Sequence, residues 1–232
     1  MPKTIQIAID GPSGAGKSTM ARRIAQTYGY LYIDTGALYR AIGYKILESG
    51  GHPNDPDDVL PVLSTLSITL CHIDGEQRVF VDGEDVSDLI RTPEVSMAAS
   101  DVSAIPAVRV YLLDLQRDLA RQNNVVMDGR DIGTVVLPDA QIKIFLTAEA
   151  EDRARRRYEQ MLEGGQQADY ETVLADVKRR DYNDSHRQAA PLRQAEDAIR
   201  VDTTGCTLEE GTAKIRAAIE NRMIEEKMID VG

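Results

Sequence analysis

Apolar and polar positions alternate over residues 4–10 and favour β-branched types, which predicts a buried strand running straight into a glycine-rich stretch. Over Lys17–Tyr28 the period changes, and Met20, Ile24 and Ala25 fall on one face of a helix. A short apolar piece at 31–33 leads into DTGALYRAIGYKILESGG, where Leu38, Ile42 and Ile46 recur every four residues until Gly50 and Gly51 stop the pattern. Two βα units in succession are therefore predicted. The turn formers HPNDPDD then separate this region from SITLCHIDGEQRVFVDGEDV, in which two alternating runs flank DGEQ and predict an inserted hairpin.

Helical spacing returns over about 92–121 with a break at Pro106, and NNVVMDGRDIG supplies a short hydrophobic strand that runs into charge. A further strand, QIKIFLTA, precedes an arginine-rich helix beginning near Glu149. The segment 163–195 is polar, has little apolar content, and carries Gly164 and Gly165 as a hinge, which predicts a mobile flap. A last strand, AIRVDTT, and an amphipathic helix over about 208–228 close the chain. Alternation of strands and helices throughout predicts the α/β class, a three-layer fold around a parallel central sheet.

Apolar residues at 42% and charged residues at 28% are ordinary globular usage, so the 232-residue chain can bury a core and is read as one domain with excursions. A net charge of −11 argues against a nucleic-acid partner, because a polyanion needs a broad positive face and any positive site here must be local. Cys71 and Cys206 are far apart with no CxxC spacing, so both are expected to be reduced and structural rather than bridged or zinc-bound. No apolar stretch reaches the length of a leader or a membrane span, so no membrane role and a cytoplasmic location are expected. A monomer is expected because no long apolar stripe is left without internal use. His52, His72 and His186 have no carboxylate or cysteine at ligand spacing and are read as solvated loop residues.

The strongest chemical signal is GPSGAGKS, which fits GxxxxGK[ST] and lies between a strand and a helix as anion binding requires. Gly11, Pro12, Ser13, Gly14, Ala15, Gly16, Lys17, Ser18 and Thr19 form this loop; its glycines let successive N–H groups turn inward, and the helix N-terminus adds partial positive charge. Lys17 can reach β- and γ-phosphate oxygens, the Ser18 hydroxyl can join an octahedral Mg²⁺ shell, and Thr19 falls on the α-phosphate side. ATP and Mg²⁺ are the cofactors this implies. The loop names no acceptor, and no guanine-reading NKxD segment accompanies it. Arginines at Arg40, Arg130, the Arg153 to Arg157 group, and Arg179, Arg180 and Arg187 are a selective placement on an acidic chain. Such guanidiniums suit the screening of two phosphate-bearing substrates brought together.

The chain resembles the cytidylate kinase family over nearly its full length. The resemblance rests on GPSGAGKST, DTGALYR, IRTPEVSMAAS, MDGRDIGTVVLPDA, RRDYNDSHR and APL, and on the hairpin, which is similar to the enlarged acceptor region of the bacterial enzymes. It implies a P-loop NTPase fold with core segments at about 1–33, 101–148 and 193–232, an inserted monophosphate-binding region at about 34–100 with a small antiparallel β-element, and an arginine-rich lid at about 149–192. It implies that Arg40 and Arg130 hold the acceptor phosphate with Arg187 near it, that Arg180 and Asp184 contact the ribose, and that Ser100, Arg109 and Asp131 read the base. Thr35 and Tyr39 join the acceptor pocket. Asp131 alone also reads as an ion-pair partner of Arg130 or Arg109. Asp128 reads as a carboxylate near Mg²⁺ or as a helix cap. The implied substrates are CMP and dCMP, with Lys17, Arg130 and the lid residues Arg153 and Arg157 stabilising the transfer. Other readings are a kinase for uridylate, adenylate or shikimate, or a regulatory protein that holds ATP without transfer.

Overall fold

A computed structural model describes residues 4–73 and 76–226. The chain separates into two compact units, one made of the residues up to Tyr32 with those from Gln122 on, the other of Ile33–Arg121.

The first unit is built on a five-stranded sheet in the order β2, β6, β1, β7, β8. These strands are β1 (Gln6–Asp10), β2 (Leu31–Asp34), β6 (Val125–Gly129), β7 (Ile142–Thr147) and β8 (Ile199–Asp202). β1 runs parallel to both β6 and β7, with Ala8 facing Met127 on one side and Lys143 on the other, and β8 runs parallel to β7. The apolar runs of β1, β6 and β7 are almost continuous because a central parallel strand is covered on both faces. Helices α1 (Lys17–Tyr28) and α8 (Leu208–Glu225) carry Met20, Ile24, Ile215, Ile219 and Met223 into the same core as Ile7, Ile9, Ile142 and Ile144. Thr207 and Glu210 close a capping box on α8. The predicted extension of that helix to 228 lies partly outside the described residues.

Helices α6 (Ala150–Glu163) and α7 (Tyr170–His186) form the 149–192 region, and here the expectation of little apolar content is corrected. Ala154, Val173 and Val177 bury a small core of their own, with Tyr158 and Tyr170 edge to face at 6.1 Å. His186 ends α7 stacked on Tyr182, and His72 lies on a strand of the second unit, so neither is a loop residue as read from the sequence.

The second unit packs α2 (Thr35–Glu48) against α4 (Pro93–Ser103), with α3 (Pro56–Thr65), α5 (Pro106–Gln122) and a three-stranded antiparallel sheet of β3 (Ile68–Ile73), β4 (Glu76–Val81) and β5 (Glu84–Asp85). Leu38, Ile42, Ile46, Val79, Val81, Val102 and Leu112 share one core. The predicted hairpin is β3 paired with β4, although its turn residues 74–75 lie outside the described residues. Helix α3 was not foreseen, and Cys71 is a free, exposed residue on β3.

Candidate functional site

In the first unit, β1 delivers the chain to Gly11, where only glycine fits: its φ is +152°, and a Cβ would stand 2.0 Å from the Leu146 carbonyl oxygen. Gly14 and Gly16 also hold positive φ, so the loop curls back before α1 begins at Lys17. Lys17 is only 5% exposed, and its ammonium donates to the Pro12 carbonyl at 2.8 Å across the loop. Burial, and then the nearby Arg130 guanidinium, push its pKa down to about 7 against the pull of Asp128, Asp184 and Asp10. A cation held so far below its ordinary value gains strongly from an incoming polyanion.

Ser18 donates its hydroxyl to Asp128 Oδ2 at 2.8 Å, and the Tyr32 hydroxyl donates to Asp128 Oδ1 at 2.9 Å. Asp128 lies inside β6 and caps no helix, which removes that reading. Serine hydroxyl and carboxylate are hard oxygen donors of the kind Mg²⁺ takes in ones and twos while keeping waters and phosphates, so the pair fits that ion. Tyr32, which orients the carboxylate, was not singled out from the sequence.

Arg153, at 3% exposure, is bound on three sides. It donates to the Ala148 carbonyl at 2.9 Å and the Ser13 carbonyl at 2.8 Å, and it forms a two-pronged pair with Asp181 of α7 at 3.0 and 2.5 Å. α6 thereby grips the phosphate loop and α7 at once. Arg157 and Arg130 both face Arg180, whose pKa is lowered first by burial and then by these two like charges. Arg130 itself is held above its ordinary value, since the Asp184 carboxylate outweighs the cost of burial.

The acceptor candidates of this unit join in one chain of alternating charge. Arg130 Nε meets Asp184 at 2.8 Å, Arg187 reaches Asp184 at 4.0 Å, and Arg187 meets Asp131 at 3.6 Å. Asp131 and Arg187 are 6% and 8% exposed, so this is a desolvated pair. The partner of Asp131 found here is Arg187, a guanidinium the sequence had placed near the phosphate.

In the second unit, Asp34 caps α2 by accepting from the Ala37 N–H at 3.0 Å and also pairs with Arg40 at 2.8 Å. Gln77 of β4 clamps the Asp34 backbone in both directions, accepting its N–H at 2.9 Å and donating to its carbonyl at 3.3 Å. Thr35 is buried one position on, and Tyr39, one turn further, lies under the Arg109 guanidinium at 5.5 Å. Arg109 also donates to the Ser103 carbonyl at 3.2 Å, and the Ser103 hydroxyl donates to the Ser100 carbonyl at 2.8 Å. Thus Tyr39, Ser100 and Arg109 are brought together, while Arg40 is held by Asp34.

Asp34→Ala is expected to cost about 1–2 kcal/mol in denaturant unfolding through loss of the helix cap, with Asp34→Asn recovering most of it. Burial raises the Asp34 pKa, but Arg40 and the cap outweigh this and hold it below 3.8. Its contribution is therefore complete above that value and is lost as the pH falls through the lower folded one. An Asp34→Ala protein with unaltered unfolding at neutral pH would contradict the capping role.

The cytidylate kinase family model matches residues 7–221. A cytidylate kinase of Caldicellulosiruptor saccharolyticus is 54% identical over 92% of this chain and 94% of its own length. One of Streptococcus pneumoniae (strain 70585) is 47% identical over 95% of this chain and all of its own. Among solved structures, a gluconokinase of Sinorhizobium meliloti superposes with a TM-score of 0.50 at 14% identity, covering 98% of both chains, which speaks for the fold alone.

Proposed function

Because the chain belongs to the cytidylate kinase family, we propose that it transfers the γ-phosphate of ATP to CMP or dCMP, giving ADP and CDP or dCDP. The observation that carries the chemistry is the buried Lys17 ammonium held across a loop of positive-φ glycines to the Pro12 carbonyl at 2.8 Å, with Arg153 tied to the Ser13 carbonyl of the same loop and the Arg130 charge near enough to help hold the Lys17 pKa below its ordinary value. That electrostatic cost is relieved when phosphates enter, and most when charge spreads over the transferring oxygens.

The donor's phosphates lie along the backbone N–H groups of residues 13–19, with Lys17 turning from the Pro12 carbonyl to the β and γ oxygens. Ser18 and Asp128, hydrogen-bonded to each other at 2.8 Å, would hold Mg²⁺, which would supply positive charge against the phosphates when bound. The acceptor's phosphate is already ionised, so the chain need supply no strong base; Arg130, Arg153 and Arg157 position and stabilise instead. Asp184 and Arg180 address the ribose, Arg187 the acceptor phosphate, and Asp131 the base, where a carboxylate accepts from the cytosine N4 amino group. Uracil presents a carbonyl oxygen there and is disfavoured. In the second unit, Thr35, Tyr39, Arg40, Ser100 and Arg109 also take part in acceptor binding. Among the described residues no helix is long and apolar enough to cross a membrane, and the reading has the enzyme working in the cytoplasm as a monomer.

A coupled assay of ADP release with CMP, dCMP, UMP, AMP and GMP tests this reading. Release that depends on CMP or dCMP and is much weaker with the others is expected; equal release with UMP or AMP, or release without any acceptor, would overturn it.

A further inference from the structure

One buried carboxylate beside the phosphate loop has no part in the mechanism above. Asp10 ends β1, is 4% exposed, and interrupts an apolar strand immediately before Gly11. Its two oxygens are used on one target: Oδ1 accepts from the Ile132 N–H at 2.8 Å and Oδ2 from the Gly133 N–H at 2.7 Å. These are the first two amides of a π-helical turn, Ile132–Val136, that follows Arg130 and Asp131 directly. Opening amides of a helix have no partner within it and need an outside acceptor. The residue at the capping position is Asp131, a side chain well suited to that task, yet it makes no side-chain cap. Its carboxylate lies toward Arg187 instead.

We propose that Asp10 is a positioning residue for the acceptor: by capping the 132–136 turn in place of Asp131, it releases the Asp131 carboxylate for base recognition and fixes the Arg130 and Asp131 backbone to the strand that feeds the phosphate loop. This rests on the acceptor reading above. A bidentate carboxylate spanning two adjacent amides fixes both the position and the tilt of the turn, which a single hydrogen bond would not. Gly133 belongs to the same arrangement, since a Cβ there would stand 3.4 Å from Asp10 Oδ2 and 3.1 Å from Lys143 Cδ. Burial, with Asp131 adding to it, raises the Asp10 pKa to about 6 against the two amides and Lys17, the cost of keeping a carboxylate at this place.

The test is steady-state kinetics of Asp10→Asn with CMP, UMP and ATP. The amide keeps the size but sets an NH₂ group against one of the two backbone N–H groups. A rise of about 10-fold in KM for CMP and a fall of about 10-fold in CMP-over-UMP preference are expected, with KM for ATP within about two-fold of the unmodified chain. Unchanged KM for CMP and unchanged preference, or a shift in KM for ATP as large as that for CMP, would overturn the proposal. Asp10→Ala removes both acceptors from the Ile132 and Gly133 amides and should shift the same two quantities in the same direction; it decides the matter if Asp10→Asn does not fold, and an unchanged preference in it would overturn the proposal. Absence of CMP preference in the unmodified chain would sink the acceptor reading itself. Loss of preference in Asp131→Asn with retention in both of these variants would sink only the role of Asp10.

Discussion

Lys17→Ala should lower turnover by about 10³-fold or more while the chain keeps its fold. The side chain is 5% exposed, yet what it does in the folded protein is hold a charge in an unfavourable place, with burial and Arg130 driving its pKa to about 7. Its one hydrogen bond in the loop, to the Pro12 carbonyl, is modest in worth, roughly 1–2 kcal/mol. Removing the ammonium therefore relieves as much as it costs, and the midpoint of thermal unfolding should change little. Catalysis loses the cation buried in the loop itself; Arg130 and Arg153 are fixed by Asp184 and Asp181 and act from their own places rather than moving into the one Lys17 leaves. Turnover at saturating ATP and CMP close to that of the unmodified chain would contradict the role of the loop.

Asp131→Asn should lower the preference for CMP over UMP by about 1–3 kcal/mol, roughly 5- to 150-fold, the scale of one well-formed base contact. The amide can turn either its oxygen or its NH₂ toward the base, so it loses the discrimination against the carbonyl oxygen of uracil. Alanine is the poorer choice at this position. Asp131 and Arg187 are both nearly buried and 3.6 Å apart; either variant removes the charge facing Arg187, which keeps Asp184 at 4.0 Å, but asparagine retains an oxygen that can accept from the guanidinium and alanine does not. The decisive readout is the ratio of kcat/KM for CMP and UMP in the asparagine variant; an unchanged ratio would take Asp131 out of base recognition and leave it as the structural partner of Arg187.

The strand, glycine loop and first helix were legible because the glycine spacing and the change of hydrophobic period coincide at Lys17. The hairpin was legible for a similar reason, with two runs of period two on either side of a short polar turn. Helix α3 was not, because its opening residues read equally well as turn formers: Asp55 caps it through the Asp57 N–H, and Pro56 occupies its first turn. The 163–195 segment looked too polar to bury anything, yet Val173, Val177 and Ala154 sit at helical spacing and meet across two helices. That meeting is a tertiary fact, which local composition does not carry.

Of the candidate site, the residue types were readable and their partners were not. Nothing local says that Arg130 takes Asp184, 54 positions away, or that Ser18 and Tyr32 both give their hydroxyls to Asp128. Asp10 did leave a trace, a charged residue closing the apolar strand QIAID, and only the two amides it accepts from explain why it is there. Asp181 and Gln77 left none, since each acts by holding a group from a distant segment.

The most direct measurement follows the label from ATP radiolabelled at its γ-phosphate, incubated with the chain, Mg²⁺ and either CMP or UMP. The label is predicted to appear in CDP in step with ADP formation, to depend on CMP, and to enter UDP far more slowly. Label released chiefly as inorganic phosphate whether or not CMP is present, or passed to UMP as readily as to CMP, would contradict the account.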